Sequence, residues 1–245
     1  MKVLILAAGY GTRLYPLIKD TPKALLEINE KPLINYILDR IVDLDKLNEV
    51  ILVTNEKFYS VFVKWAQEQE TFPHKIKVVN DGTKTPEDRL GSIGDIEFAL
   101  KQEKIKEDVL VIGSDNLFDY NIEAYVQFSL SNSPAVSIGL YDISDLKEAT
   151  KFGVVKLGRQ GKIASFEEKP QNPASTLVAM CFYYLPKKSL GLIGDYLLEL
   201  KKSDTAGDYI RWLVANHDVY GFKFVGKWYD IGSIEAYKEA QKKFC

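Results

Sequence analysis

Short continuous apolar runs alternate with one-sided apolar stripes through the first half of the chain. Val3–Leu6, Val50–Val53, Lys75–Val79 and Asp108–Ile112 read as strands, and the run at 50–53 is of the kind buried on both faces. Between them Leu33, Ile34, Ile37, Leu38, Ile41, Val42 and Leu44 recur at helical spacing. So do Phe58, Val61, Phe62, Trp65 and Ala66, and a third helix is expected over Ile93–Leu100. Four such alternations predict βαβ crossovers. The expected fold is therefore α/β and Rossmann-like: a mixed, mainly parallel sheet flanked by helices, with ligands at the carboxyl ends of the strands. A helix over Ile122–Leu130 closes this half.

The pattern then changes to shorter alternating strands at Ala135–Leu140, Phe152–Leu157, Lys162–Phe166 and Val178–Tyr184. Gly158-Arg159-Gln160-Gly161 is a hairpin signal between two of them. Helices at Lys187–Lys201 and Tyr209–Ala215, a strand at Val219–Phe224 and a last helix at Ile234–Lys243 complete the chain. This predicts a smaller β-rich lid or substrate region. The expected organisation is a single domain over 1–245, with a first part at 1–133 and a second part with C-terminal helices at 134–245.

Charge and cysteine content narrow the function. The formal net charge is −2 and no Lys/Arg block stands out, which argues against nucleic acid or an anionic membrane as partner. No apolar run approaches a membrane span, and the N-terminus enters a strand at once, so a cytoplasmic location is expected. Cys181 lies in an apolar run and Cys245 is the last residue, too few for a disulfide framework or a zinc cluster. His74 and His217 stand in polar connecting stretches without partners at ligand spacing, so imidazole chemistry is not expected.

The candidate chemistry begins where the first strand ends. Leu6 is followed by Ala7-Ala8-Gly9-Tyr10-Gly11-Thr12-Arg13-Leu14, and later by Pro22-Lys23-Ala24-Leu25-Leu26. Gly9 and Gly11 let the backbone bend sharply and let its N–H groups approach an anion. Arg13 offers a planar fork and Lys23 a compact point charge, two geometries suited to two phosphates. Position 14 is Leu, so the dinucleotide pattern G-x-G-x-x-G is not met, and no G-x-x-x-x-G-K-[ST] occurs. Asp115, in Gly113-Ser114-Asp115-Asn116, and Asp230, in Trp228-Tyr229-Asp230-Ile231-Gly232-Ser233, could share a magnesium ion. Taken alone, each reads as a helix cap or turn former before it reads as a metal ligand. Phe166-Glu167-Glu168-Lys169-Pro170 reads alone as a solvated strand end.

Gly9-x-Gly11-Thr12-Arg13-Leu14-x-Pro16, followed by Pro22-Lys23-x-Leu25-Leu26, resembles the N-terminal signature of the sugar-1-phosphate nucleotidyltransferases, the group of glucose-1-phosphate thymidylyltransferase and mannose-1-phosphate guanylyltransferase. The resemblance implies the nucleotide-diphospho-sugar transferase fold and Mg²⁺-dependent transfer of a nucleotidyl group from a nucleoside triphosphate to a sugar 1-phosphate, here glucose 1-phosphate with dTTP or UTP. It places Ala7, Ala8, Gly9, Gly11, Thr12, Arg13, Lys23, Asn80 and Gly91 on the nucleotide. It places Gly153, Glu168, Lys169 and Val178 on the sugar, and Asp115 and Asp230 on the metal. The catalytic cations it implies are Arg13 for the departing pyrophosphate, Lys23 for the α-phosphate and Lys169 for the incoming phosphate.

The chain departs from the family's pattern at Ser114, an added residue, at Asn80, where Gln is frequent, and at Met180, where a small residue is usual. Alternatives within the fold are a mannose-1-phosphate guanylyltransferase and a cytidylyltransferase for another acceptor such as choline phosphate. A catalytically silent nucleotide-sugar-binding regulator is the alternative of a different class. The resemblance runs to just past the Trp228 turn, so no appended repeat domain is expected, and a homo-oligomer is left open.

Overall fold

The computed structural model describes residues 1–15, 18, 21–200 and 205–244. Pro16 of the signature, Lys201 at the end of the helix expected over 187–201, and Cys245 lie outside them. The strands are β1 (Lys2–Leu6), β2 (Glu27–Ile28), β3 (Lys31–Pro32), β4 (Glu49–Thr54), β5 (Lys75–Asn80), β6 (Val109–Gly113), β7 (Asn116–Phe118), β8 (Val136–Asp142), β9 (Gly153–Leu157), β10 (Ile163–Glu168), β11 (Leu177–Leu185), β12 (Val219–Lys223) and β13 (Trp228–Asp230). The α-helices are α1 (Leu33–Ile41), α2 (Tyr59–Gln67), α3 (Gly91–Gln102), α4 (Glu123–Ser131), α5 (Leu146–Ala149), α6 (Gly191–Leu200), α7 (Ala206–Asn216) and α8 (Ile234–Lys243).

These elements form two compact units that interleave along the chain. Residues 1–90, 112–122 and 226–245 make the first, and residues 91–111 and 123–225 the second. Strand β6 contributes its end to the first and its beginning to the second.

In the first unit β1, β4 and β5 lie side by side and parallel, with Leu4 opposite Ile51 and Leu52 opposite Val78. Val3, Leu4, Ile5 and Val50–Val53 are fully buried, as their unbroken apolar runs require. Helix α1 buries its stripe of Leu33, Ile34, Ile37, Leu38 and Ile41. Ahead of it, β2 and β3 form a tight hairpin whose turn residues, Asn29 and Glu30, both have positive φ, the twist that a two-residue hairpin favours.

Leu14, Ile18, Leu26, Ile28, Leu33, Leu117, Ile231, Ala240 and Phe244 form one buried cluster. It packs the exit of the glycine loop, the hairpin, a two-stranded ribbon of β7 and β13, and α8 around common apolar ground. Polar contacts fix α8 as well: Gln241 Nε2 and Tyr237 OH donate to Glu27 O at 2.7 and 2.9 Å, and Asn29 Nδ2 donates to Phe244 O.

The second unit is built on β8, which pairs antiparallel with β11 and parallel with β12; β11 meets β9, and β9 meets β10 antiparallel. Tyr125, Phe182, Phe222 and Phe224 pack ring against ring, edge to face for Tyr125–Phe182 and Phe222–Phe224 and tilted for Tyr125–Phe222 and Tyr125–Phe224. A Cβ on Gly139 would meet Phe182 and Phe224 at 2.7 and 2.8 Å, so that strand position admits no larger residue. Tyr125 OH donates to Ser137 O at 2.8 Å and accepts from Tyr184 N at 3.0 Å, which keeps the phenol satisfied inside the apolar stack. Two elements differ from the sequence reading. The helix expected over 187–201 is a short 3₁₀ turn, Lys187–Ser189, followed by α6, because Pro186 holds an extended ψ of 146° and α6 begins only at Gly191. Helix α5, which was not expected, is capped by Asp145 Oδ1, which accepts from the N–H groups of Lys147 and Glu148.

No helix among the described residues is long and apolar enough to cross a membrane.

Candidate active site

Strand β1 ends in the glycine loop, and its neighbours hold that loop open. Ala7 N donates to Val53 O at 2.8 Å, and Asn55 Nδ2, fully buried, donates to Ala8 O at 2.9 Å. Asn55 Oδ1 in turn accepts from Phe58 N, so one amide ties the loop to the start of α2. Nothing in the alternating pattern marks Asn55, and the sequence reading missed it. Gly11 sits at φ 60° and ψ 25°, and a Cβ there would come 2.1 Å from Ile18 Cδ1. Gly11 is thus required by the fold itself. Gly9 is different: its φ is unexceptional and a Cβ would meet nothing within 4 Å. The empty space beside Gly9 leaves the backbone approachable.

Thr12 and Arg13 follow on an exposed 3₁₀ turn, with Leu14 N closing it onto Gly11 O at 2.8 Å. Pro22 then starts the short turn Lys23–Leu25 with an extended backbone. Lys23 Nζ donates to Asp115 Oδ2 at 2.6 Å, an ion pair whose side chains are 17% and 30% exposed. Asp115 lies just past β6, where Ser114 N donates to Leu6 O at 3.1 Å. Burial pushes the Asp115 carboxyl up; the charge and hydrogen bond of Lys23, with the more distant Arg13, outweigh it and hold the carboxyl below its usual range.

The ribbon brings in Asp230. Strands β7 and β13 pair antiparallel with Asp230 opposite Asn116, and Ile231 N donates to Asp115 O at 3.0 Å. A Cβ on Gly232 would lie 3.6 Å from Asp230 Oδ1 and 3.8 Å from an Arg13 guanidinium nitrogen, so these two groups flank the same glycine. Arg13, Lys23, Asp115 and Asp230 are therefore gathered within the first unit, beside the glycine loop. Asp115 and Asp230 form an oxygen-only donor pair, and among the described residues no third His, Cys, Asp or Glu completes a metal cluster with them. One or two carboxylates, completed by phosphate oxygens and water, is the set that Mg²⁺ takes, so the residues fit that ion.

At the far edge of this unit Asn80 ends β5. Its Nδ2 donates to Glu56 Oε2 at 2.6 Å and its Oδ1 accepts from Gly82 N at 2.9 Å, so both ends of the amide serve the turn. Tyr10 OH donates to Thr83 Oγ1 at 3.3 Å, which links that turn to the glycine loop.

The second unit holds the remaining candidates. Gly91 opens α3 at φ 78°. Glu168 is paired with Gly153 across β10 and β9. A Cβ on Gly153 would strike the Phe166 ring at 2.4 Å and approach Glu168 Oε2 at 3.1 Å, so its missing side chain makes room for these groups. A Cβ on Gly207, in the first turn of α7, would come 2.1 Å from Glu168 Oε2. The carboxylate therefore rests against the N-terminal turn of α7, where the helix dipole favours negative charge. Gly207 is a second residue that the sequence reading missed; a glycine just behind the Thr205 cap was the available signal. Lys169, at φ 46°, extends into solvent with Nζ 3.6 Å from Glu168 Oε1. Val178 is fully buried opposite Val154, and Met180 is buried too.

A mainly parallel α/β sheet whose first strand ends in a glycine loop, with two cations and two carboxylates gathered beside it, defines the class of this protein: an α/β protein of the nucleotide-diphospho-sugar transferase fold. The model of the nucleotidyl transferase family matches residues 2–245, and the chain belongs to that family. The bifunctional protein GlmU of Methanocaldococcus jannaschii is 28% identical over 99% of this chain and 54% of its own. The UTP–glucose-1-phosphate uridylyltransferase AglF of Haloferax volcanii is 28% identical over 75% of this chain and 71% of its own. The structure of a UDP-glucose pyrophosphorylase complexed with UDP-glucose shares the fold, with a TM-score of 0.81 at 22% identity over 99% of this chain and 97% of that one. The chain spans about half the length of the first curated relatives it matches.

Proposed function

We propose that residues 1–245 act as one nucleotidyltransferase domain, which transfers a nucleotidyl group from a nucleoside triphosphate to a sugar 1-phosphate and releases pyrophosphate. Glucose 1-phosphate with UTP or dTTP is the favoured pair, an assignment supported by the AglF relative, a UTP–glucose-1-phosphate uridylyltransferase. The observation that carries the reading is the Lys23–Asp115 pair with Arg13 and Asp230 beside the glycine loop.

In this reading an oxygen of the sugar phosphate attacks the α-phosphorus in line. The new P–O bond forms as the bond from the α-phosphorus to the bridging oxygen breaks, and its electron pair leaves with pyrophosphate. The attacking oxygen is already ionised, so no side-chain base is required, in keeping with the two peripheral histidines. What the protein must supply is alignment and charge neutralisation. The backbone of Ala7, Ala8, Gly9, Gly11 and Thr12 wraps the triphosphate, Arg13 meets the departing pyrophosphate and Lys23 the α-phosphate. Glu168 takes sugar hydroxyls, Gly153 and the Val178 backbone border the ring, and Lys169 meets the incoming phosphate. Asn80 and Gly91 face the base; Asn80 does so after its amide lets go of Glu56. Asp115 and Asp230 would hold Mg²⁺, which supplies Lewis-acid neutralisation of phosphate charge when bound. Both substrates are small anions, and the reading carries a cytoplasmic location with it.

Pyrophosphate release with a panel of UTP, dTTP, GTP and CTP against glucose, mannose and choline phosphates tests the proposal. Turnover with a sugar 1-phosphate supports it. Turnover with choline phosphate alone, or none with any pair, overturns it.

A further inference from the structure

Asn116, the residue after Asp115, links the turn that carries Asp115 to the strand that ends at Asp230. Asn116 is 2% exposed, and its amide is fully used. Its Nδ2 donates to Gly113 O at 3.0 Å and to Asp115 Oδ1 at 3.2 Å, while its Oδ1 accepts from Trp228 Nε1 at 2.8 Å. One amide thereby closes the turn that carries Asp115 and ties it to β13, the strand that ends at Asp230.

The consequence for Asp115 is specific. Its carboxylate is held at both oxygens, Oδ1 by Asn116 and Oδ2 by Lys23. When Lys23 turns to a phosphate, Asn116 remains as the group that fixes the carboxylate plane. The Trp228 bond does the same for the opposite strand: with Asp230 paired to Asn116 in register, a shift of the indole moves Asp230 relative to Asp115. Groups that hydrogen-bond metal-ligating carboxylates set their orientation and affect affinity as strongly as many ligands do.

We propose that Asn116, through its bonds to Asp115 and Trp228, is the positioning residue that sets the spacing and orientation of the two carboxylates for a divalent cation. The inference rests on the reading of Asp115 and Asp230 as that ion's ligands.

Two measurements on the whole chain test it: Mn²⁺ binding to protein alone by electron paramagnetic resonance, and the Mg²⁺ concentration at half-maximal pyrophosphate release. Asn116→Ala is expected to weaken Mn²⁺ binding about tenfold or more and to raise the half-saturating Mg²⁺ by the same factor. The KM for the sugar 1-phosphate is expected to stay at the wild-type value. Trp228→Phe, which removes only the N–H, is expected to shift both metal readouts in the same direction by less. If Asn116 merely fills a turn, Asn116→Ala lowers the melting temperature while both metal readouts stay within twofold of wild type, and the proposal is overturned. Should Asn116→Ala not fold, Trp228→Phe decides: unchanged Mn²⁺ binding and Mg²⁺ requirement overturn it. Asp115→Asn separates the two levels of the argument. If it binds Mn²⁺ as the wild type does, the ligand assignment itself fails; if it loses Mn²⁺ while Asn116→Ala does not, only the positioning role fails.

Discussion

Adding one methyl group at Gly9 and at Gly11 should have opposite consequences, although the two glycines stand two residues apart. At Gly11 the substitution meets two obstacles. An alanine at φ 60° costs about 1–2 kcal/mol for left-handed backbone. Its Cβ also comes 2.1 Å from Ile18 Cδ1, and Ile18 is fully buried in the cluster with Leu14, Leu26 and Leu117, so overpacking adds about 1–3 kcal/mol. Gly11→Ala is therefore expected to lose roughly 2–5 kcal/mol in urea unfolding, the low end if Ile18 finds another rotamer. At Gly9 no atom lies within 4 Å of the added methyl and φ is ordinary, so stability should stay within about 0.5 kcal/mol of wild type. On the proposed reading the methyl stands in the space left to the triphosphate, and a displacement of reacting groups by about 1 Å is enough for a loss on the order of 100-fold in kcat/KM. Urea denaturation and pyrophosphate release on both variants give the comparison. A Gly9→Ala protein of wild-type stability and wild-type kcat/KM for the triphosphate would refute the placement of the phosphates on this loop.

Lys23→Ala is expected to lower kcat/KM by roughly 100-fold or more, as the loss of one preorganised electrostatic partner does, measured by pyrophosphate release. Gly207→Ala, whose methyl would come 2.1 Å from Glu168 Oε2, is expected to raise KM for the sugar 1-phosphate while leaving KM for the triphosphate unchanged. Asp142 accepts from Lys223, Thr176 and Ser144, which hold its carboxyl down to about 2. A depressed folded value means that this stabilisation is complete above the unfolded carboxyl pKa of about 4 and is lost as the pH falls toward 2. With the side chain a third exposed, Asp142→Asn should cost about 1 kcal/mol at pH 7 in urea unfolding, and the gap to wild type should narrow below about pH 4 and close as the pH falls to about 2.

The mainly parallel sheet was legible because its signals are local. The unbroken apolar runs at β1, β4 and β6 and the stripe of α1 each sit within a dozen residues, and the buried positions follow them. The glycine loop was legible for the same reason. The pairing of the strand that follows Asp115 with the strand that ends at Asp230 was not, since β7 and β13 are three-residue strands more than a hundred positions apart and too short to show a period. The interleaving of the two units escapes local pattern too, because it is a property of long-range pairing. Gly153 illustrates a subtler limit: the resemblance places it on the sugar, and nothing local shows that Phe166 and Glu168, from the neighbouring strand, crowd the place a side chain there would take.

The central claim is that Asp115 and Asp230 act on one ion, and a double-mutant cycle in pyrophosphate release tests it most directly. Asp115→Asn and Asp230→Asn should each reduce kcat/KM by about 100-fold, and the double variant should be little worse than the poorer single one, as for groups that act as a unit. Losses that multiply in the double variant, or a single variant with near wild-type turnover, would contradict the account.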